Sequence, residues 1–214
     1  MTTNPDHCDV AGSGSGSESG SGSRFEPGSG SRSRPESAGV PWPVSLPADL
    51  LAAKALVYDP NGFVCSTPVA EPESAEYGAH VFTVDGAEVR FRIAGTTPTK
   101  VGQFVTLWQR SAAGPIEPLA AEDRLDLVVI SSRQGEHFGQ FVFPKAVLRE
   151  RGILSVRGGG GKRGFRVYPP WVSTTNRQAD RTRAWQLDHF LTVTAEASPD
   201  PARCRALYHP YAAR

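Results

Sequence analysis

Leu125-Asp126-Leu127-Val128-Val129-Ile130-Ser131 (LDLVVIS, 125–131) is the stretch on which the fold turns. Its apolar residues run without alternation. A half-buried strand alternates, so this pattern predicts a central strand covered on both faces. HFGQFVF (137–143) follows after a turn around Gln134-Gly135-Glu136 and is predicted to pair with it as a hairpin. Pro144 has no N–H to give a ladder and cannot continue a central strand. It suits the first turn of a helix, 144–151 (PKAVLRER), which Gly152 ends.

Upstream, HVFTV (80–84) and AEVRFRI (87–93) flank Asp85-Gly86, a two-residue hairpin signal. Val89, Phe91 and Ile93 alternate with Arg90 and Arg92, the period of a half-buried strand. A further strand is predicted at QFVTLWQR (103–110). Residues 47–57 (PADLLAAKALV) read as a helix with Ser45 as N-cap, stopped before the turn cluster Asp59-Pro60-Asn61-Gly62. Residues 63–75 look irregular, and 74–78 have the length of one helical turn.

Downstream of the hairpin come a four-glycine run, Gly158–Gly161, and a strand at GFRVY (164–168) that stops at Pro169-Pro170. From Asn176 to Val193 there is no Gly or Pro, which predicts one long helix with Ala184, Leu187 and Leu191 on its apolar stripe. Residues 196–214 read as an irregular extension. The order of elements is that of an α+β protein with a mixed, mainly antiparallel central sheet flanked by helices.

The chain has 214 residues, 21% of them charged, with a formal net charge of +1. In residues 11–39, 18 of 29 are Gly or Ser. Such a stretch buries too little apolar surface to offset its ordering entropy. Residues 1–40 are therefore expected to be a disordered tail and 41–195 a single domain. No run of about 18 apolar residues occurs, so no membrane-spanning helix is expected. MTTNPDHCDV lacks the basic and apolar regions of a secretory leader. Cys8, Cys65 and Cys204 lie far apart and form no CxxC pair. Reduced thiols and a cytoplasmic location are the expectation. The near-neutral total hides an asymmetry. Residues 71–126 hold five basic and nine acidic residues, whereas 145–183 hold ten basic residues against Glu150 and Asp180. An excess of +8 in one segment points toward a polyanion such as nucleic acid.

Several chemical motifs fail on inspection. Gly158–Gly161 with Lys162 lacks the Ser or Thr that a phosphate loop needs for magnesium, because Arg163 follows. The five histidines form no HExxH or His/Cys cluster, and GxSxG occurs only within the Gly/Ser tail. Two candidates remain. Asp126 opens an apolar strand and Gln140 lies in the next. Oxygen ligands at one sheet end are what a magnesium-dependent phosphodiester site requires, with a nearby Lys to stabilise developing charge. Pattern alone favours the simpler reading, in which Asp126 caps a turn and Gln140 bonds backbone. The other candidate is a set of phosphate contacts from Lys100, in the hydroxyl-rich loop Thr96–Lys100, and from Lys162, Arg163 and Arg166.

AEYGAHVF (75–82), VRFRIAGTTPTKVGQFVTLWQR (89–110), DLVVIS (126–131), FGQFVFPK (138–145), GKRGFRVYPPW (161–171) and the spaced NRQA and TRAWQLDHF blocks (176–190) together resemble the MepB family of bacterial proteins. The resemblance spans about 46–193. It implies a restriction-endonuclease-like, PD-(D/E)XK-type fold and nucleic-acid binding. In that plan Glu76, Asp126 and Gln140 fall in the order of the metal-binding carboxylates and their neighbour, with Asp126 and Gln140 as Mg2+ ligands. Lys145 would supply charge to catalysis and to nucleic-acid binding alike. Three positions depart from the plan: Val142 stands where a Lys is expected, Leu125 where a Pro is expected, and Gly95 where the family often has Lys. These departures bear on cleavage more than on binding. The expected function is therefore nucleic-acid binding through a basic surface. The alternatives are a magnesium-dependent nuclease and a regulatory protein-interaction module anchored by Arg181 and Trp185 on the last helix.

Overall fold

The structure is a computed structural model in which residues 41–111, 114–194 and 198–210 are described. The expected tail, 1–40, lies outside the described residues. The chain enters through a helix, α1 (Ala48–Ala53), which passes directly into a π-helical turn, Lys54–Tyr58. Pro47, not Ser45, occupies the N-cap position, and no side chain caps this helix.

Strand β1 (Val69–Ala70) leads through a 3-10 segment, Pro72–Tyr77, into β2 (His80–Val84) and β3 (Ala87–Ile93). The tight turn between them holds Asp85 at φ +47° and Gly86 at φ +84°. Two positive φ values are what a type I′ hairpin demands, and Gly supplies one without strain. Short strands β4 (Gly95–Thr97), β5 (Lys100–Thr106), β6 (Trp108–Arg110) and β7 (Ile116–Pro118) follow. Next come β8 (Leu127–Gln134), β9 (His137–Pro144) and α2 (Lys145–Glu150), the predicted hairpin and helix, except that Pro144 is the last residue of β9 and the N-cap of α2 rather than part of its first turn. The chain finishes with β10 (Gly164–Val167), α3 (Arg177–Leu187), β11 (Phe190–Val193) and α4 (Pro201–Tyr208).

Six strands form the central sheet in the order β1-β2-β3-β8-β9-β11, antiparallel throughout except for the parallel pair β3-β8. The protein is thus α+β with a mixed, mainly antiparallel sheet. Strand β8 lies inside that sheet, which accounts for its unbroken apolar run. Leu127 and Val129 pack into one core with Leu50, Tyr58, Phe82 and Tyr208. Val128 and Ile130 pack into a second core, on the other face, with Val105, Leu148, Phe165 and Val167.

Three expectations need correction. The helix predicted to reach Val193 stops at Leu187, and Phe190–Val193 is a strand paired with Phe138–Phe141 of β9. The periodic spacing of Leu187 and Leu191 was compatible with both, but a ladder satisfies the backbone of the sheet edge. The predicted strand 103–110 divides at Leu107. Its first part joins a separate three-stranded sheet, β10-β5-β4, and its second pairs with β7. The extension from 196 is not irregular. Asp200 caps α4 by accepting from the Ala202 N–H at 3.0 Å, and Pro201 stands at the first helical position. Cys204, Leu207 and Tyr208 of that helix are buried in the first core, so the domain continues past 195.

Candidate nucleic-acid interface

Asp126 lies at the foot of β8, where it ties three elements together. Its Oδ2 accepts the Glu88 N–H at 2.9 Å, its own N–H donates to Glu88 O, and its carbonyl accepts from Lys145 N at 2.9 Å. It therefore holds the start of β3 and of α2. Gln140 is fully buried and stands opposite Ser131 on β8 and Leu191 on β11. Its Oε1 accepts the Tyr208 hydroxyl at 2.9 Å, while its Nε2 has no hydrogen-bond partner.

The structure does not bring these two residues together. Ser131, the partner of Gln140, lies five residues beyond Asp126, which is roughly 16 Å along a strand. Gln140 faces the first core with Tyr58 and Tyr208, whereas Asp126 precedes the strand and is engaged with Glu88 and the start of α2. Magnesium needs oxygens gathered around one point at about 2.0–2.1 Å. Asp126 and Gln140 do not fit that requirement. Lys145 does not approach Gln140 but donates from Nζ to the Asp123 carbonyl at 2.7 Å. The Glu76 side chain lies outside the described residues. No group of three or more His, Cys, Asp and Glu suited to a metal occurs among the described residues.

The basic candidates behave differently, because β10 and β5 assemble them. Arg166 on β10 stands directly opposite Phe104 on β5, so both project from the same face of the small sheet. The guanidinium lies 5.9 Å from the Phe104 ring centre, and Phe104 is 40% exposed. Arg166 Nη2 donates to Thr97 Oγ1 at 2.8 Å, and Nη1 reaches the carbonyls of residues 100–102 at 3.2–3.4 Å. Arg166 therefore fixes the loop that carries exposed Lys100. Gln103, almost fully buried, anchors that loop from below by donating to the Arg133 carbonyl at 2.8 Å and accepting from Ser132 Oγ.

Lys162 and Arg163 are exposed at the entry to β10. The Lys162 N–H donates to Ile153 O at 2.8 Å, and the Arg163 carbonyl accepts from Leu107 N at 2.9 Å. Their backbone is therefore held although their side chains reach solvent. The preceding glycine run is fixed as well. Gly161 has φ +83°, and a Cβ there would come within 2.7 Å of Ser155 N and of Pro118. Only glycine fits that close approach.

Helix α3 closes the open edge of β10 through one side chain. Gln186, fully buried, donates to Arg166 O at 2.8 Å and accepts from Tyr168 N at 2.9 Å, taking the place of a ladder partner. The predicted anchor Trp185 is half-buried rather than free. Its ring packs 5.3 Å from Phe143, and Arg151 lies 5.1 Å over it. Residues that the sequence reading passed over are thus Phe104, Arg151 and Gln186. Alternation within 103–106 was the one signal that pointed to an outward Phe104.

Ion pairing separates the two halves of the chain. Lys54, Arg90, Arg92, Arg110, Arg124 and Arg133 each meet a carboxylate. Arg92 is almost fully buried, and burial lowers its pKa against the opposing pull of Glu71. In 145–183 the sole ion pair among the described residues is Arg151 with its neighbour Glu150 at 3.9 Å. The excess charge of this segment is not neutralised internally.

The MepB-like family pattern matches residues 71–192. A crystal structure of MepB is similar to this chain with a TM-score of 0.58 and 34% identity, over 60% of this chain and 86% of that one. The structure of a bacterial homing endonuclease aligns over 65% of this chain and 84% of its own, at 18% identity and a TM-score of 0.35, too low to argue from. Among curated proteins no relative matches. A mixed-sheet α+β protein with this pattern over more than half its length is a member of the MepB-like family, and the chain belongs to it. No helix among the described residues is long and apolar enough to cross a membrane.

Proposed function

We propose that this protein binds nucleic acid through the face built by β5, β10 and their loops, without cleaving it. The observation that carries this reading is the unpaired charge. Lys162 and Arg163 lie at one end of the small sheet, Lys100 at the other and Arg166 between them, and none of the four has a carboxylate partner among the described residues. Exposed Phe104 lies among them and offers a ring on which a base can stack. Lys145 contributes positive charge at the start of α2 and, with its Nζ on a carbonyl, serves position more than contact. Buried Cys65 and Cys204 are free thiols, which suits a reducing cytoplasm.

The nuclease alternative would need Glu76, Asp126, Gln140 and Lys145 around Mg2+. The separation of Asp126 and Gln140 along β8 counts against it. The test is fluorescence anisotropy with labelled single-stranded DNA, RNA and duplex DNA between about 50 and 200 mM salt. Four phosphate contacts predict a log–log salt slope of about −3 to −4, and Lys162→Ala/Arg163→Ala should reduce its size by about 1.5 to 2. Undetectable binding at low salt, or an unaltered slope in the double variant, overturns the reading. Cleavage in Mg2+ or Mn2+ that Asp126→Ala abolishes in a folded protein overturns the non-catalytic part.

A further inference from the structure

Between the end of α2, the outer face of β10 and the first turns of α3 lies a cavity of about 370 Å³. Arg151, Lys162 and Arg166 line it, with Tyr168, Gln178 and Trp185, and no carboxylate side chain does. Its volume lies at the small end of the range for pockets that hold a compact organic ligand. Three features set its chemistry. Its cations make it an anion site. Tyr168 and Trp185 add flat apolar surface. Gln178, exposed at the start of α3, carries an amide with one acceptor and two donors. A simple phosphate site requires neither the rings nor the amide.

The walls are held in place. Gln186 fixes α3 against β10 by two hydrogen bonds, as described above. Asn176 caps α3 by accepting from the N–H groups of Gln178 and Ala179 at 3.1 and 2.9 Å. The Arg166 head is committed to the 97–102 turn; of the other lining cations, Lys162 is exposed and unpaired, and Arg151 lies over the Trp185 ring with only a long contact to Glu150 at 3.9 Å, which an incoming phosphate can replace.

We propose that this cavity holds one phosphorylated nucleotide, with the phosphate between Arg151 and Lys162 and the base against Tyr168 and Trp185. The choice of a nucleotide over other anions rests on the nucleic-acid reading above. The nucleotide comes either from an unstacked position or end of a bound strand or from a free mononucleotide. Flat duplex binding needs no such pocket, so a nucleotide here predicts that single-stranded or extruded bases are preferred.

The test uses the full chain and isothermal calorimetry with 2′-deoxyadenosine 5′-monophosphate, deoxyadenosine and inorganic phosphate. The nucleotide is expected to bind at least about tenfold more tightly than either fragment, because it engages the cations and the rings together. Arg151→Ala and Gln178→Ala should each weaken it, Arg151→Ala by about tenfold or more. Arg205→Ala, on the exposed side of α4, controls for the loss of a charge and should leave it unchanged. Circular-dichroism melting confirms that each variant folds. Displacement of a labelled single strand by the mononucleotide identifies the strand as the source, and binding without displacement identifies the free nucleotide. Phosphate that binds as tightly as the nucleotide overturns the proposal. Oligonucleotide binding with no mononucleotide binding, and no effect of Arg151→Ala, overturns it while leaving the strand-binding reading intact. Mononucleotide binding without oligonucleotide binding does the reverse.

Discussion

Replacing Tyr208 with Phe removes one oxygen from the core and tests what Gln140 is for. The Tyr208 hydroxyl donates to Gln140 Oε1 at 2.9 Å and lies 3.3 Å from the Tyr58 hydroxyl. All three side chains are 0–1% exposed. Burial pushes both tyrosine hydroxyls well above their ordinary pKa, so both stay neutral and can donate. Tyr208→Phe leaves the buried Gln140 carbonyl oxygen without its donor, a loss of about 1–3 kcal/mol. Gln140→Leu removes that oxygen together with the unpartnered Nε2, and Tyr208 keeps Tyr58 as a neighbour, so it should cost under about 1.5 kcal/mol. In the double variant the polar pair is gone from both sides. It is expected to be more stable than Tyr208→Phe alone, with a coupling energy of about 1 kcal/mol. Urea unfolding followed by circular dichroism reads these differences as midpoint shifts at constant slope. Gln140→Leu should also bind single-stranded DNA as the parent does, since the side chain does not reach solvent. Additive costs in the double variant, or loss of nucleic-acid binding by a folded Gln140→Leu, would refute the assignment of Gln140 to the core.

Two further outcomes follow from the packing. Gly139→Ala places a Cβ against the Phe190 ring and 2.7 Å from the Leu191 carbonyl, so it should destabilise by about 1–3 kcal/mol and lower the melting temperature. An unchanged melting temperature would contradict the β9–β11 register. Burial raises the Cys65 thiol from an ordinary 9.0 to about 12, and it raises Cys204 as well. The native state thus keeps a proton that the unfolded chain gives up. The stability this confers is present below pH 9 and falls as pH rises toward 12. Alkylation by iodoacetamide at pH 8, read by mass spectrometry, should label Cys65 and Cys204 only once urea unfolds the chain. Rapid labelling of the folded protein would show that these thiols are not enclosed.

The central hairpin was legible because its residues state both period and burial. LDLVVIS can be a half-exposed strand only by placing apolar groups in water, and Asp85-Gly86 and Pro144 mark their boundaries by backbone chemistry alone. The final third was less legible. Leu187 and Leu191 suit a helical stripe, yet Phe190–Val193 fills a vacant sheet edge beside Phe138–Phe141, and tertiary pairing overrides the local pattern. Helix α4 carried a readable signal in Asp200-Pro201, an N-cap followed by proline at the first helical position. The candidate metal site illustrates a different limit. Glu76, Asp126 and Gln140 follow one another in the expected order, but order along a chain says nothing of distance in the fold. Asp126 precedes β8, and Gln140 pairs with Ser131 five residues further on, so these two keep their sequence order without meeting.

Charge shows the opposite behaviour. The run at 145–183 did not by itself prove a patch, since strand, loop and helix residues in one segment can point in every direction. The fold gathers part of it for structural reasons. Strand β10 needs a partner on each edge and finds β5 on one side and Gln186 on the other. Lys162 and Arg163 are thereby brought to the mouth of the small sheet, and Arg166 to its face beside Phe104. Acidic residues that could neutralise them lie mainly in 71–126, where Glu71, Glu73 and Glu88 are already engaged by Arg90, Arg92, Arg110 and Arg124. An internal carboxylate would compete with an external phosphate for the same guanidinium or ammonium group. With those acids already engaged, the cations of 145–183 are left able to take a polyanion, and the salt slope of binding measures how many of them it engages.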